Sequence, residues 1–273
     1  MRRVLPVVVL SLAAFLFAVL ASPLMAGGRS PLEHVPRVRH VVVVVFENEE
    51  ATAVAGSRAA RHFNLYARAY ADLTDDTAVA HPSLPNYLAL VSGSTHGIES
   101  DCTACAASGP TIGTALSRRG RAWGGYAQGF PSSPLFAKKH MPFLYFAGQS
   151  SHVHPLSRLS PGRLPAFAFV APDLCDDAHD CPLRAADRFL AGFLPPLLHV
   201  PSTAVYVLFD EGTTDAGGGG HIFAFVAGTA VRRHARFVRA TDHYGVLRTI
   251  EDQLGVSPLG RSATHAPITG IWK

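Results

Sequence analysis

Ser83 lies in His81-Pro82-Ser83-Leu84-Pro85-Asn86-Tyr87, a hydroxyl held between two prolines. Each proline fixes its own φ, and Pro85 biases Leu84 toward extended geometry. Asn86 follows three residues on, placed to donate a hydrogen bond to whatever the hydroxyl attacks. The apolar run Tyr87-Leu88-Ala89-Leu90-Val91 reads as the start of a packed helix. Ser83 therefore precedes a helix N-terminus, where free N–H groups and the macrodipole favour an anion. Taken alone, the stretch also reads as a proline-punctuated turn with a capping serine. Three acidic clusters elsewhere favour chemistry.

The first follows His40 and the run Val41-Val42-Val43-Val44-Val45-Phe46, which leads into Glu47-Asn48-Glu49-Glu50. An unbroken β-branched run is the mark of a strand buried on both faces of a parallel sheet. Polar residues at its carboxyl end lie where open α/β sheets place their ligands. The second is Val205-Tyr206-Val207-Leu208-Phe209-Asp210-Glu211, again an apolar strand running into acid. Two such strand ends can bring Glu47, Asn48, Asp210 and Glu211 together around a hard divalent ion or a carboxylate-rich transition-metal site. Gly217 to Gly220 then precedes His221, which opens a third apolar strand; the glycines also read as a flexible hairpin.

The third cluster is Pro172-Asp173-Leu174-Cys175-Asp176-Asp177-Ala178-His179-Asp180-Cys181, again behind an apolar strand. So much carboxylate in one loop is either solvated or neutralised by a cation. In the second case Asp177 and His179 face the site, and a Cys175–Cys181 bond holds the loop rigid.

Together these pieces resemble the phosphoesterase family of secreted acid phosphatases and phospholipase C enzymes, within the alkaline-phosphatase-like superfamily. The resemblance rests on residues 43–48, 81–93, 139–143 (Lys-His-Met-Pro-Phe), 172–181, 209–212 and 243–252, in the family's order. Ser83-Leu84-Pro85-Asn86 and Ser94-Thr95-His96-Gly97-Ile98 are also similar to the nucleophile segment of nucleotide pyrophosphatases. The resemblance implies a serine nucleophile, Ser83, that is also a metal ligand, with Glu47, Asn48, Asp210 and Glu211 completing the metal shell. It implies that Asn86 contacts a phosphoryl oxygen and that His140 and His179 bind phosphate or protonate the leaving group. Asp173, Asp177 and His221 are candidates for a second metal or phosphate site. Glu49-Glu50 departs from the family's usual continuation.

The chemistry needs these residue types. A serine hydroxyl is a weak nucleophile until a base or a cation stabilises its alkoxide. Phosphoryl transfer spreads charge over several oxygens, so catalysis is mostly placement and neutralisation. No Ser–His–Asp acyl-transfer order is evident. The expected ion is Ca²⁺, Mg²⁺, Mn²⁺, Fe or Zn²⁺. The expected substrate is a small phosphate ester or a phospholipid head group, with a phosphodiesterase or phospholipase C as the alternative. A third reading is a non-catalytic secreted binding protein, which the intact Ser83, Glu47, Asn48 and Asp210 oppose.

The remaining sequence must position these groups. The chain has 273 residues, 48% of them hydrophobic, enough for one domain with a substantial core. Residues 1–26, two arginines and then an apolar run ending in small residues, are expected to be a signal peptide. The alternative is an uncleaved anchor, in which case alone a membrane is a partner. A linker is expected over 27–38 and the catalytic domain over 39–273. The net charge of +4 is dispersed and does not argue for nucleic acid. Four cysteines suit an exported protein, paired as Cys102–Cys105 and Cys175–Cys181, with cross-pairing or a zinc site as alternatives. Helical patterns at 59–70, 87–92, 112–119, 185–194 and 244–254 alternate with strands at 40–46, 122–126, 166–170, 204–209 and 222–226. Such alternation predicts a three-layer α/β sandwich with a largely parallel central sheet. The proline-rich segment 130–165 is expected to form the pocket wall.

Overall fold

The computed structural model describes Met1 and residues 34–273. The expected signal peptide and most of the expected linker lie outside the described residues. The end of that linker is docked: Val35 and Val38 are buried, and the Val38 N–H donates to the Gln253 carbonyl.

One nine-stranded sheet organises the chain. Its centre is β1 (His40–Phe46), flanked in parallel by β5 (Phe167–Ala171) and β6 (Thr203–Phe209). Outward from β5 come β3 (Trp123–Ala127) and β4 (Val153–Pro155), also parallel. Beyond β6 lies β7 (His221–Ala227), antiparallel to both its neighbours, and then β2 (Ala71–Thr77). The short β8 (Ala235–Phe237) and β9 (Thr241–Asp242) pair with β2. The central parallel strands are buried along nearly their whole length, as their unbroken β-branched sequences require.

Side-chain alternation assigns the two outer layers. Val43 is the register partner of both Phe169 and Tyr206, so these three share a face. On that face Phe169 meets Tyr87 of α3 (Ser83–Ser92), and the Tyr206 hydroxyl donates to Gln253 of α6 (His243–Leu254). Phe46 points the opposite way, into Phe63 of α2 (Arg61–Ala69) and Phe189 of α5 (Leu183–Phe193). The sandwich is thus three-layered, and the short helices α1 (Ala51–Val54) and α4 (Ile112–Ser117) complete the set. Glu47 has the parity of Val43, which turns it toward α3.

Two local differences from the sequence reading have clear causes. The helix expected from Tyr87 begins four residues earlier, at Ser83, so Leu84 is helical rather than extended. Pro85 is tolerated because it sits in the first turn, where an N–H has no intrahelical acceptor to lose. Strand β2, Ala-Asp-Leu-Thr-Asp-Asp-Thr, has little strand character in sequence and exists through its pairing with β7, β8 and β9.

Candidate active site

Register brings the acidic clusters together. Phe46 and Phe209 are partners in the β1–β6 ladder, so Glu47 and Asp210 leave adjacent strands at the same level. Backbone bonds extend this: the Asp210 N–H donates to the Phe46 carbonyl at 2.8 Å, and the Glu47 N–H to the Asp177 carbonyl at 2.9 Å. Three acidic loops are therefore tied together before any side chain contributes.

Ser83 is the first residue of α3 and is 1% exposed. Its hydroxyl lies 3.0 Å from Glu47 Oε2 and 3.1 Å from Glu211 Oε1. The Tyr87 hydroxyl, one turn on, donates to Glu47 Oε1 at 2.5 Å. His140 is buried with Nε2 3.1 Å from Glu47 Oε1 and Nδ1 3.0 Å from Asp177 Oδ2. Neither ring nitrogen is aligned for a hydrogen bond. Asp210 Oδ1 accepts from the Asn48 N–H at 3.1 Å, while its Oδ2 is buried without a partner.

The carboxylates raise one another. Burial, with Asp210 and Asp177 nearby, pushes Glu47 well above its ordinary range. Burial and Glu211 push Asp210 up to about 8, and burial pushes Asp177 to about 7. Burial, aided by Lys139 and His179, holds the His140 imidazole well below its usual value. Buried carboxylates crowded this closely, with an orphaned oxygen on Asp210, form a donor set that a divalent cation fits. One ligand atom each from Glu47, His140 and His179 also lies within 4.8 Å of the others.

Several expected residues have other roles here. Asn86 does not face the site: its Oδ1 accepts from the Val79 and Ala80 N–H groups at 3.0 and 3.1 Å, and its amide donates to the Ala80 carbonyl at 2.7 Å. That bonding exhausts the amide and fixes the turn that delivers Ser83. Asp173 Oδ1 accepts from the N–H groups of Cys175 and Asp176, turning its own loop. His221 lines a separate cavity of about 290 Å³ with Asn64, Asp72 and Arg236. Neither Asp173 nor His221 joins the cluster, whereas Asp177 does so through His140. The glycine run is ordered, because Gly219 packs so closely on Ala80 that a Cβ would strike its carbonyl. Glu50 accepts from Thr213 N–H, Thr214 N–H and His221 N–H, which closes that loop.

Sequence reasoning missed four residues. His81 pairs with Glu211 and with the Thr214 carbonyl. Tyr87 holds Glu47. Lys139 Nζ donates to Asp101 Oδ2 at 2.7 Å and lies 3.2 Å from His179 Nε2. The available signal was adjacency: each stands within a motif, or beside one, already marked by Ser83, His140 or Cys102. Both disulfides, Cys102–Cys105 and Cys175–Cys181, are formed. Their loops grip the same turn, since the Lys138 ammonium donates to the Thr103 carbonyl at 2.5 Å and His140 meets Asp177.

Comparison with known proteins identifies the family. A model of the phosphoesterase family matches residues 57–257. The phosphatidylinositol-3-phosphatase of Mycobacterium tuberculosis is 30% identical over 251 residues, covering 87% of this chain and 84% of that protein. The phosphate-repressible acid phosphatase of Penicillium chrysogenum is 28% identical over 221 residues, 69% of this chain and 53% of its own length. The chain thus spans about half the length of that fungal relative. Among solved structures, a protein of the alkaline phosphatase superfamily from Vibrio parahaemolyticus shares the fold with a TM-score of 0.62 at 13% identity, over 86% of this chain and 71% of that one. Human ectonucleotide pyrophosphatase/phosphodiesterase 5 does so with a TM-score of 0.56 at 11% identity, over 84% and 97%. This chain belongs to the phosphoesterase family, with the alkaline-phosphatase fold, and is a hydrolase of phosphate esters.

Proposed function

We propose that this protein is an exported, metal-dependent phosphomonoesterase of the acid-phosphatase type with Ser83 as nucleophile. The observation that carries the reading is the Ser83 hydroxyl, buried at the first position of α3 and within 3.1 Å of two carboxylates. Glu47, Asn48, Asp210 and Glu211, with Ser83, would hold the cation. When bound, it would stabilise the serine alkoxide and offset charge on the phosphoryl oxygens. Ser83 Oγ attacks phosphorus, and its proton leaves to one of the two carboxylates. The ester P–O bond breaks, and the leaving oxygen takes a proton from His179 on the site's rim. Water then attacks the phosphoserine and gives a proton to His179. The Ser83 oxygen leaves phosphorus and takes back its proton from the carboxylate, so orthophosphate is released and both groups are restored. His140, 1% exposed between Glu47 and Asp177, orients these carboxylates rather than reaching the leaving group.

A monoester on a small molecule or on a lipid head group fits; the mycobacterial relative named for a phosphoinositide supports the second. Export is supported by the apolar leader and by two disulfides, which suit an oxidising compartment. Among the described residues no helix is long and apolar enough to cross a membrane. The test is hydrolysis of p-nitrophenyl phosphate and bis-p-nitrophenyl phosphate by purified protein, with and without chelator. Chelator-sensitive turnover favouring the monoester is expected. Absence of monoester turnover with every divalent ion tried would reject the reading.

A further inference from the structure

The first free N–H beyond the nucleophile belongs to Leu84, at the N-terminus of the ten-residue helix α3. It donates to Asp101 Oδ1 at 3.0 Å. The other oxygen of that carboxylate, Oδ2, accepts from Lys139 Nζ at 2.7 Å. Asp101 thus holds, at once, a helix N-terminal donor beside Ser83 and an ammonium whose charge is felt at Glu47 and Asp210. A planar anion bridging two such donors imitates two oxygens of a phosphoryl group. The pair is reachable, with side-chain exposures of 18% for Lys139 and 29% for Asp101. The pair also borders the site itself, since Lys139 Nζ lies 3.2 Å from His179 Nε2.

We propose that Asp101 is an internal placeholder for the substrate's phosphoryl group, and that Lys139 and the Leu84 N–H pass from Asp101 to phosphate on binding. The proposal rests on the phosphoesterase reading and adds two residues to it, neither a metal ligand. Without a placeholder, Lys139 would be drawn toward the carboxylates Glu47 and Asp210 and away from the position where phosphate arrives. With it, the donors stay oriented, and the cost is competition: substrate must displace a carboxylate, so apparent affinity is lower than the donors alone would give. The Cys102–Cys105 bond beside Asp101 and the Lys138–Thr103 contact limit how far the carboxylate can swing.

The two residues are therefore expected to act with opposite sign, which structural damage would not do. Orthophosphate binding is measured by calorimetry, and as competitive inhibition of p-nitrophenyl phosphate hydrolysis, on Asp101→Ala, Asp101→Asn, Lys139→Ala and Lys139→Arg. Removing Asp101 should tighten orthophosphate by about tenfold, the worth of a charged hydrogen bond lost as competitor. Lys139→Ala should weaken it by about tenfold, with partial rescue by arginine, and in its background the Asp101→Ala gain should shrink. Thermal melts identify misfolded variants, and Asp101→Asn, which keeps an acceptor for Leu84, stands in if the alanine variant fails. Folded Asp101 variants that bind orthophosphate no better than wild type overturn the placeholder role. Calorimetry reports on this even if wild type shows no turnover, an outcome that would sink the phosphoesterase mechanism alone.

Discussion

His140 lies flat against Tyr87, ring centroids 5.2 Å apart and planes 8° from parallel, and both reach the same carboxylate oxygen, Glu47 Oε1. Glu47 is the first residue past the central strand, fully buried, and the direct neighbour of the Ser83 hydroxyl. Its direction is thus set by a phenol and an imidazole stacked as one unit.

Tyr87→Phe should preserve the stack but strip Glu47 of its neutral donor. A buried carboxylate losing one hydrogen bond costs about 1–3 kcal/mol. We expect kcat to fall by about tenfold or more with KM little changed, and the melting temperature to drop by several degrees. Steady-state kinetics with wild-type values would show that Glu47 needs no such support.

Ser83→Ala removes the nucleophile and leaves a small residue in a helix, so the fold should survive. Turnover should fall by at least about a thousandfold, the scale seen when a covalent nucleophile is deleted. Residual kcat above about a tenth of wild type would remove Ser83 from that role.

Asp210→Asn separates metal binding from folding. Asp210 is raised to about 8, so the folded apoprotein holds its proton more tightly than the unfolded chain does. That stability is present below about pH 4 and is lost as pH rises toward 8. At pH 9 the chelated asparagine variant should therefore melt no lower than chelated wild type. Adding divalent ion should raise the wild-type melting temperature but not the variant's, and variant activity should be down at least about a hundredfold. Equal metal-induced shifts in both proteins would place the ion elsewhere.

Opening Cys175–Cys181 by a double serine substitution should affect turnover more than stability. The bond spans six positions, and so short a closure contributes only about 2 kcal/mol through chain entropy. The loop it closes carries Asp177, which positions His140. Activity is expected to fall by about tenfold or more while the protein remains folded by circular dichroism. Full activity in the folded variant would refute the positioning role.

Glu251 offers a pH test away from the site. It is buried in α6, accepts from the Leu259 N–H and the Ser262 hydroxyl, and is raised by burial to about 8. A raised carboxyl stabilises the fold below its unfolded value near 4.3, and that contribution fades as pH climbs to 8. Glu251→Gln should flatten the fall in melting temperature between pH 5 and pH 8. An unchanged pH profile would show that Glu251 titrates normally.

The central strands could be read from sequence because β-branched runs buried on both faces carry their own signature. The acidic residues ending β1 and β6 were readable for the same reason, since a parallel sheet aligns strand ends. Within the loop over 173–181 the reading stopped short. Asp173 and Asp177 differ only in which way one turn points them, and only the folded loop sends Asp177 to His140 and Asp173 to its own backbone. An amide three residues after a serine serves a phosphoryl oxygen or the preceding turn equally well in sequence, and in the fold two N–H groups of that turn claim the Asn86 oxygen. Lys139 and Asp101 stand beside His140 and Cys102 in sequence, but their segments are distant, so the ion pair between them is visible only in the fold.

The turn over 138–140 is gripped from both sides by loops that exist in closed form only as cystine. Lys138 answers to the Cys102–Cys105 loop and His140 to the Cys175–Cys181 loop, so two separate crosslinks bear on three consecutive residues.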